Sequence, residues 1–353
     1  MVALGSLGGV VLAGVVAHGA WQARKAGPRR AAAPAEEPRE QREPTLGDPS
    51  DIGKLAPDAL AGAAIDPVLG MPERRPNKRG ALRLDALIDS IVPLTLEAPV
   101  SGEMVMAHLP ATRRAGGKPF LIEGLNADSG EWETPQAGQR YGEFQAGVQL
   151  ANRSGPLNEI EYSEFVQKVQ AFADAIGASP DFPDMLEAVA AARELDQYAG
   201  ANDAQLAVHL VSRGAAWSVG YIQQHGANHG FVPGVVPGRL VLPAAEEGAP
   251  PLLTLTFDSQ AALADDPNIA AVRDVTLSFD VPQTEASLEP FNAWQRSAHA
   301  LAAEMDAVLV DDDGRALGPE SFAAIGQTLA TLYEQLERRE LAAGSAAARR
   351  LFS

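Results

Sequence analysis

The sequence predicts an α+β protein with two similar modules behind an amino-terminal membrane segment. Three observations lead to this prediction. An uncharged run covers residues 2–22, a proline-rich stretch without aromatic residues covers residues 24–81, and the remaining chain repeats one order of strand-like and helix-like segments. In each module we expect an antiparallel sheet with helices on one face, because half-buried strands alternate there with amphipathic helices.

The composition excludes several classes of protein. The 353-residue chain contains no cysteine, which excludes disulfides, thiolate zinc sites and a cysteine nucleophile. Its formal net charge is −18. Residues 82–198 carry −10 of this charge and residues 199–340 carry −12. Because affinity for nucleic-acid phosphates comes largely from Lys and Arg, we expect no nucleic-acid partner.

Residues 1–23 are predicted to form a single transmembrane anchor. At about 1.5 Å per residue, the uncharged run spans about 30 Å of hydrocarbon as a helix. The first basic residue, Arg24, follows the run, which argues against a cleaved signal peptide. The positive-inside rule then places the amino terminus in the periplasm and the rest in the cytoplasm. The candidate anchor residues are Val10, Val11, Leu12, Val15, Val16 and Trp21.

Two further features belong to this part of the chain. Gly5 and Gly9 have the spacing of a helix-pairing motif, which leaves a homodimer open. Residues 24–81 are predicted to be a disordered linker, since nine prolines lie between residues 26 and 80. A segment of this composition buries too little apolar surface to offset the entropy lost on ordering.

The second module, residues 199–340, contains the clearest periodic patterns. Val275–Pro282 alternates apolar and polar residues like a half-buried strand, and Ala307–Val310 predicts a short strand before an Asp-Gly turn. Two helices are predicted from apolar residues at helical spacing. Their stripes are Phe291, Trp294, Ala298, Leu301 and Met305, and Phe322, Ile325, Leu329, Leu332 and Leu336.

The first module, residues 82–198, follows a similar order. Ile91–Leu96 and Tyr141–Leu150 predict strands, and Asp184–Tyr198 predicts a closing helix. The central helix is predicted from the stripe Tyr162, Phe165, Val169, Phe172 and Ile176. Residues 341–353 are assigned to neither module and remain a carboxy-terminal tail.

No pattern in the sequence predicts catalysis or metal binding. His225 and His229 have the spacing of a zinc-binding pair, but Gly226 and Gly230 predict a loop and no HExxH motif surrounds them. Asp311–Asp313 lacks the spacing of a calcium loop. Phosphate-binding and nucleophile-elbow motifs are absent from the sequence. We therefore expect no enzyme, no cofactor and no metal.

Residues 205–336 resemble the carboxy-terminal domain of the ZipA family of bacterial division proteins, which bind FtsZ. The resemblance rests on VTLSFDVP at 275–282, a helix with QRSAH at 295–299, and VLVDDDGRALGP at 308–319. HGAW at 18–21, followed by basic residues, also matches the end of the family's anchor. The first module is not part of the usual family layout.

The resemblance implies a protein of the bacterial inner membrane at the division site. It would tether FtsZ polymers there by holding the FtsZ carboxy-terminal tail in a shallow apolar cleft on the open sheet face of the second module. The cleft candidates are Phe231, Leu253, Leu255, Leu277, Ser278 and Phe279.

Two alternatives stay open at this point. Strand periodicity lets only one sheet face be open, so the apolar candidates line either the cleft or the core under the helices. Ser278 stands where relatives tend to carry a larger apolar residue, and Thr254 and Thr256 add polar groups. A second interpretation is therefore a membrane-anchored scaffold or sensor that uses the same fold for a different protein partner.

Overall fold

Two antiparallel β-sheets, each with helices, make up the described structure. This computed structural model describes residues 83–246, 248–267 and 269–353. Its mixed helices and antiparallel sheets confirm the predicted α+β class. Within these ranges, no helix is long and apolar enough to cross a membrane. The predicted linker and anchor lie outside them, with the candidates Val10, Val11, Leu12, Val15, Val16 and Trp21.

The first sheet is built from residues 89–180. Its strands are β1 (Asp89–Ser101), β2 (Arg114–Ala115), β3 (Lys118–Asn126), β4 (Trp132–Glu133), β5 (Arg140–Gln149) and β8 (Ala178–Pro180). Between β5 and β8, the strands β6 (Ala151–Asn152) and β7 (Gly155–Pro156) form a separate small hairpin. The strand order is β2-β3-β5-β1-β8, with β4 paired to β3. The helices of this module are α1 (Gly102–His108), α2 (Glu159–Ile176) and α3 (Met185–Asn202).

Helix α2 shows how the sequence sets its own boundaries. The Asn158 side chain accepts hydrogen bonds from the N–H groups of Ile160 and Glu161, and the Glu161 carboxylate accepts one from the Asn158 N–H, which is a capping box. Gly177, at φ 70°, ends the helix in the left-handed conformation that glycine adopts without strain. The predicted apolar stripe is buried in the first core: Tyr162, Phe165, Val169, Phe172 and Ile176.

The second sheet follows directly in the chain. Its strands are β9 (Gln205–Ser212), β10 (Val232–Pro233), β11 (Arg239–Leu242), β12 (Leu253–Thr256), β13 (Asp274–Asp280) and β14 (Ala307–Val310). They are ordered β10-β11-β12-β13-β9-β14. The helices are α4 (Val219–Asn228), α5 (Ser259–Ala262), α6 (Pro290–Met305) and α7 (Pro319–Arg338), with a 3₁₀ turn at Ala286–Leu288.

Two tryptophans fix the helices of the second module to its sheet. The indole N–H of Trp294 donates to the carbonyl of Leu277 at 2.9 Å, and that of Trp217 donates to the carbonyl of Met305 at 3.0 Å. Both side chains are fully buried. A buried indole needs such an acceptor, so these bonds define how α6 lies on the sheet.

Helix α7 belongs to both modules. Phe322 and Leu329 pack into the second core, whereas Leu336 packs into the first. The chain then forms α8 (Ala346–Leu351). The apolar residues of this last part are buried in the first core: Leu341, Ala343, Ala347, Ala348, Leu351 and Phe352. The residues that the sequence left as a tail are therefore part of the first module, whose closing helix α3 also runs beyond the predicted end at 198.

Tyr333 on α7 packs against both cores and carries a buried hydroxyl with no hydrogen-bond partner among the described residues. Burial raises the pKa of Tyr333 to about 12. We expect Tyr333→Phe to raise the free energy of unfolding by about 1 kcal/mol, because it removes an unsatisfied buried polar group. Urea unfolding followed by circular dichroism measures this change.

The matched control is Tyr198→Phe, because the Tyr198 hydroxyl donates to the carbonyl of Gln335 at 3.1 Å. Loss of this hydrogen bond is expected to lower the free energy of unfolding by about 0.5–1.5 kcal/mol. The pH dependence adds a second readout. Because the pKa of Tyr333 is raised in the folded state, its contribution to stability is fully present at a pH below 10, the ordinary pKa of tyrosine. This contribution is lost as the pH rises towards 12. Tyr333→Phe should remove that alkaline loss, and a destabilised variant would contradict the assignment.

Candidate functional site

Strand alternation divides the second sheet into a covered face and an open face. On β12 and β13, leucines and phenylalanine point into the core shared with the helices. The residues between them point to the other side, and register pairs Thr254 with Ser278 and Thr256 with Thr276. We call this side, with its register neighbours on β9, β11 and β14, the open face. The helices of this module place their buried apolar side chains on the opposite side.

Most of the predicted cleft residues lie on the wrong face for a cleft. Phe231 and Phe279 are 2% and 3% exposed, and the three leucines are 0% exposed. They form the second core beneath the helices, which is the core alternative, so they do not line the open face: Phe231, Leu253, Leu255, Leu277 and Phe279. Ser278 is the exception, since it lies half-buried on the open face.

A row of short side chains crosses the open face. Its members are register neighbours on five adjacent strands: Val232, Val241, Thr254, Ser278 and Ala207. None of these side chains is long, and Thr254 at the centre of the row is only 9% exposed. Valine and alanine make this row apolar at both ends, with two hydroxyls at its centre.

A second, more polar row runs beside the first: Arg239, Thr256, Thr276, His209 and Val310. His209 Nδ1 lies 3.1 Å from the Thr276 hydroxyl, and its Nε2 lies 2.9 Å from Asp312 Oδ1. Arg239 contacts the Thr254 hydroxyl at 3.4 Å. The face thus carries a cation on β11 and a carboxylate beside β9, so an extended ligand would meet opposite charges at its two ends.

The hairpin between β10 and β11 carries exposed valines at the edge of the sheet. Val232, Val235 and Val236 are 45%, 102% and 54% exposed. The N–H of Gly234 donates to the carbonyl of Arg239 at 2.8 Å and closes the turn that presents them. Adjacent exposed apolar side chains are typical of a surface that docks another molecule.

Both edges of this sheet are protected against strand addition. β10 has two residues and one is Pro233, which has no N–H to donate. At the other edge, Ala316 bridges to Val310, and the Leu317 N–H donates to the carbonyl of Leu309 at 2.9 Å. A ligand of this sheet would therefore lie on the face rather than extend the sheet at an edge.

His225 lies in helix α4 rather than in a loop, and His229 caps the end of this helix in the turn that follows it. The loop prediction failed because Gly226 packs closely against Leu240, where a Cβ would lie 2.8 Å from Leu240 Cδ1. His225 Nδ1 and His229 Nε2 each lie 3.1 Å from an oxygen of Glu304. The contacts with His225 and then His229 hold the pKa of Glu304 below its usual range. Among the described residues, no group of three or more such side chains could hold a metal ion.

Several residues of the open face were missed at the level of sequence. They are Val232, Arg239, Val241, Ala207 and His209. The signal that could have found part of them is the alternation in LTLT at 253–256 and VTLSFD at 275–280, which assigns leucine to the core and threonine to the outside. Nothing in the sequence indicates which strands lie beside these two.

Comparison with known proteins shows little similarity. No family model matches the chain, and no curated protein matches it. One solved structure, berberine bridge enzyme from Eschscholzia californica, is 10% identical, with a TM-score of 0.16. The match covers 74% of this chain and 55% of that one, so the chain spans about half the length of that protein.

The matched structure is that of an enzyme, whereas the sequence predicted no enzyme. The comparison therefore gives no support to a non-enzyme, and the prediction is withdrawn. A TM-score of 0.16 shows neither a shared fold nor shared chemistry, so no catalytic activity is assigned from it.

Proposed function

We propose that this protein is a membrane-anchored cell-division protein of the ZipA type, which holds the carboxy-terminal tail of FtsZ on the open face of its second sheet. In this proposal the membrane anchor is the uncharged run before Arg24. The amino terminus lies in the periplasm, and the modules lie in the cytoplasm at the division site. The resemblance of residues 205–336 to the family supports the partner.

The observation that carries the proposal is the strip of exposed valines beside the open face. Val232, Val235 and Val236 are more exposed than large apolar side chains usually are in a soluble domain, and Val232 is the register neighbour of Val241. An extended amphipathic peptide could place a few apolar anchors on this strip. Arg239 and Asp312 lie where polar residues of such a peptide would meet them.

The proposed mode of binding differs from the one expected from the sequence. The leucines and phenylalanines assigned to the cleft stabilise the core, and the contact surface is provided by valines and small residues. Such a shallow surface buries less area per contact, so we expect micromolar affinity, which corresponds to about −8 kcal/mol.

The test is fluorescence anisotropy of a labelled FtsZ carboxy-terminal peptide with the full-length protein in detergent. Val241→Asp and Ser278→Asp are each expected to weaken binding at least tenfold, equivalent to about 1.4 kcal/mol, because they place a carboxylate in the apolar row. Both side chains lie outside the core, so circular dichroism should show an unchanged fold.

Leu186→Asp is the matched control, since Leu186 is a 68% exposed leucine on α3 of the first module. It should leave the affinity unchanged. Binding that survives both open-face variants would contradict the assigned surface. Absence of binding to the unaltered protein would contradict FtsZ as the direct partner and favour a scaffold or sensor for a different protein.

A further inference from the structure

The two sheets can be compared position by position. In each module a short edge strand follows a helix that ends in a left-handed residue, Gly177 before β8 and Asp306 before β14. The first residues of these strands pair with Leu96 and Ser212. Counting five residues from Leu96 towards the amino terminus gives Ile91, which pairs with Gly147. The same count from Ser212 gives Ala207, which pairs with Ser278. Gly147 in the first sheet therefore stands where Ser278 stands in the second.

A leucine lies on Gly147. A Cβ added to this glycine would clash with Leu84 Cδ2, and the three atoms nearest to it all belong to Leu84. Leu84 belongs to Arg83–Ile88, which we call the entry segment because it leads into β1. The face that is open on the second sheet is thus occupied on the first sheet by the chain itself.

Hydrogen bonds hold the backbone of the entry segment in place. The Leu84 N–H donates to Glu123 Oε1 at 3.0 Å, and Glu123 is a buried carboxylate that also accepts from Gln145 Nε2 at 2.8 Å. Arg350 donates to the carbonyl of Arg83 at 2.8 Å. The Arg83 guanidinium in turn donates to the carbonyl of Trp132. The first module therefore holds the entry segment through the Leu84 side chain and through main-chain groups of the segment.

We infer that the first sheet is a peptide-binding face whose resident ligand is the entry segment, and that it accepts the same leucine-containing peptide in trans when the entry segment is displaced. Leu84 is only half-buried and Arg83 is exposed, whereas Ile88 is fully buried in the first core, so the exchange concerns the start of the segment. This exchange would leave the open face of the second module unchanged.

The test uses the full-length protein with Leu84→Asp. An aspartate at this position meets the carboxylate of Glu123, so like charges expel the entry segment. A fluorescein-labelled peptide of residues 80–87 is then expected to bind at least tenfold more tightly to this variant than to the unaltered chain. Equal affinity for the two proteins would overturn the inference.

Glycine substitutions in β5 provide matched controls. Gly147→Val added to Leu84→Asp should abolish peptide binding, because the new side chain fills the leucine position. Gly142→Val added to Leu84→Asp should leave it intact, because a Cβ there meets nothing within 4 Å. Binding that persists with Gly147→Val would show that the peptide lies elsewhere.

A second measurement does not depend on the folding of Leu84→Asp. In Gly147→Val the new Cβ would first meet the end of the Leu84 side chain, and valine suits a strand. It should therefore release the entry segment and accelerate tryptic cleavage after Arg83 at least tenfold relative to Gly142→Val. An unchanged cleavage rate would overturn the inference. This outcome is independent of FtsZ, because neither measurement involves the second sheet.

Discussion

Leu255→Asp is expected to unfold the second module. Leu255 is fully buried in the second core, next to Leu277 across the strand pair. Loss of the leucine side chain alone costs about 2–5 kcal/mol, and a buried carboxylate without a partner adds several kcal/mol. Together these approach the whole stability of a typical domain, which is about 5–15 kcal/mol.

Tryptophan fluorescence measures this effect directly. Trp217 and Trp294 are both fully buried in the second core, so unfolding of this module should shift their emission to the red. The matched control is Thr256→Asp, one residue along the same strand. It lies on the open face opposite Arg239, where an opposite charge is favourable. A folded Leu255→Asp protein, or an unfolded Thr256→Asp protein, would contradict the assignment of the two faces.

Leu255 and Thr256 also show how much of the fold could be predicted from the sequence. The helical stripes and the main strands were predictable, because their apolar periodicity is strong and local. Leu255 and Thr256 also carry the information about which face is buried, since leucine and threonine alternate along β12. The resemblance drew attention to the large apolar residues as partner contacts, although in a one-sided sheet those residues are the ones that the helices cover.

Other features depend on contacts between distant parts of the chain and carry no local signal. Leu84 lies on Gly147, and the final helix α8 packs into the first core. Neither the short entry segment nor the alanine-rich end has a strong periodic pattern that would indicate its partner. Arg349 and Arg350 lie in the residues that the sequence assigned to a carboxy-terminal tail, yet the Arg350 side chain is only 10% exposed.

Arg350→Met is expected to lower the free energy of unfolding by about 3–5 kcal/mol. Arg350 donates to both oxygens of Asp89, at 2.6 and 2.8 Å, and the Asp89 side chain is fully buried. Without the guanidinium, a buried carboxylate would remain at the start of β1 with no charge partner. Urea unfolding at neutral pH measures the loss, and limited proteolysis should show release of α8.

The pH dependence and a double variant separate the charge effect from lost packing. Burial raises the pKa of Asp89 above its ordinary value, and the bonds from Arg350 offset part of this rise. In Arg350→Met the pKa should rise further, so the folded state prefers the protonated acid and the variant should recover stability as pH falls through that pKa. Asp89→Leu combined with Arg350→Met should likewise recover most of the loss, because an apolar pair replaces a buried ion pair at little cost. A deficit that is independent of pH and unchanged in the double variant would mean that Arg350 stabilises the fold mainly through its packing and its bond to the carbonyl of Arg83.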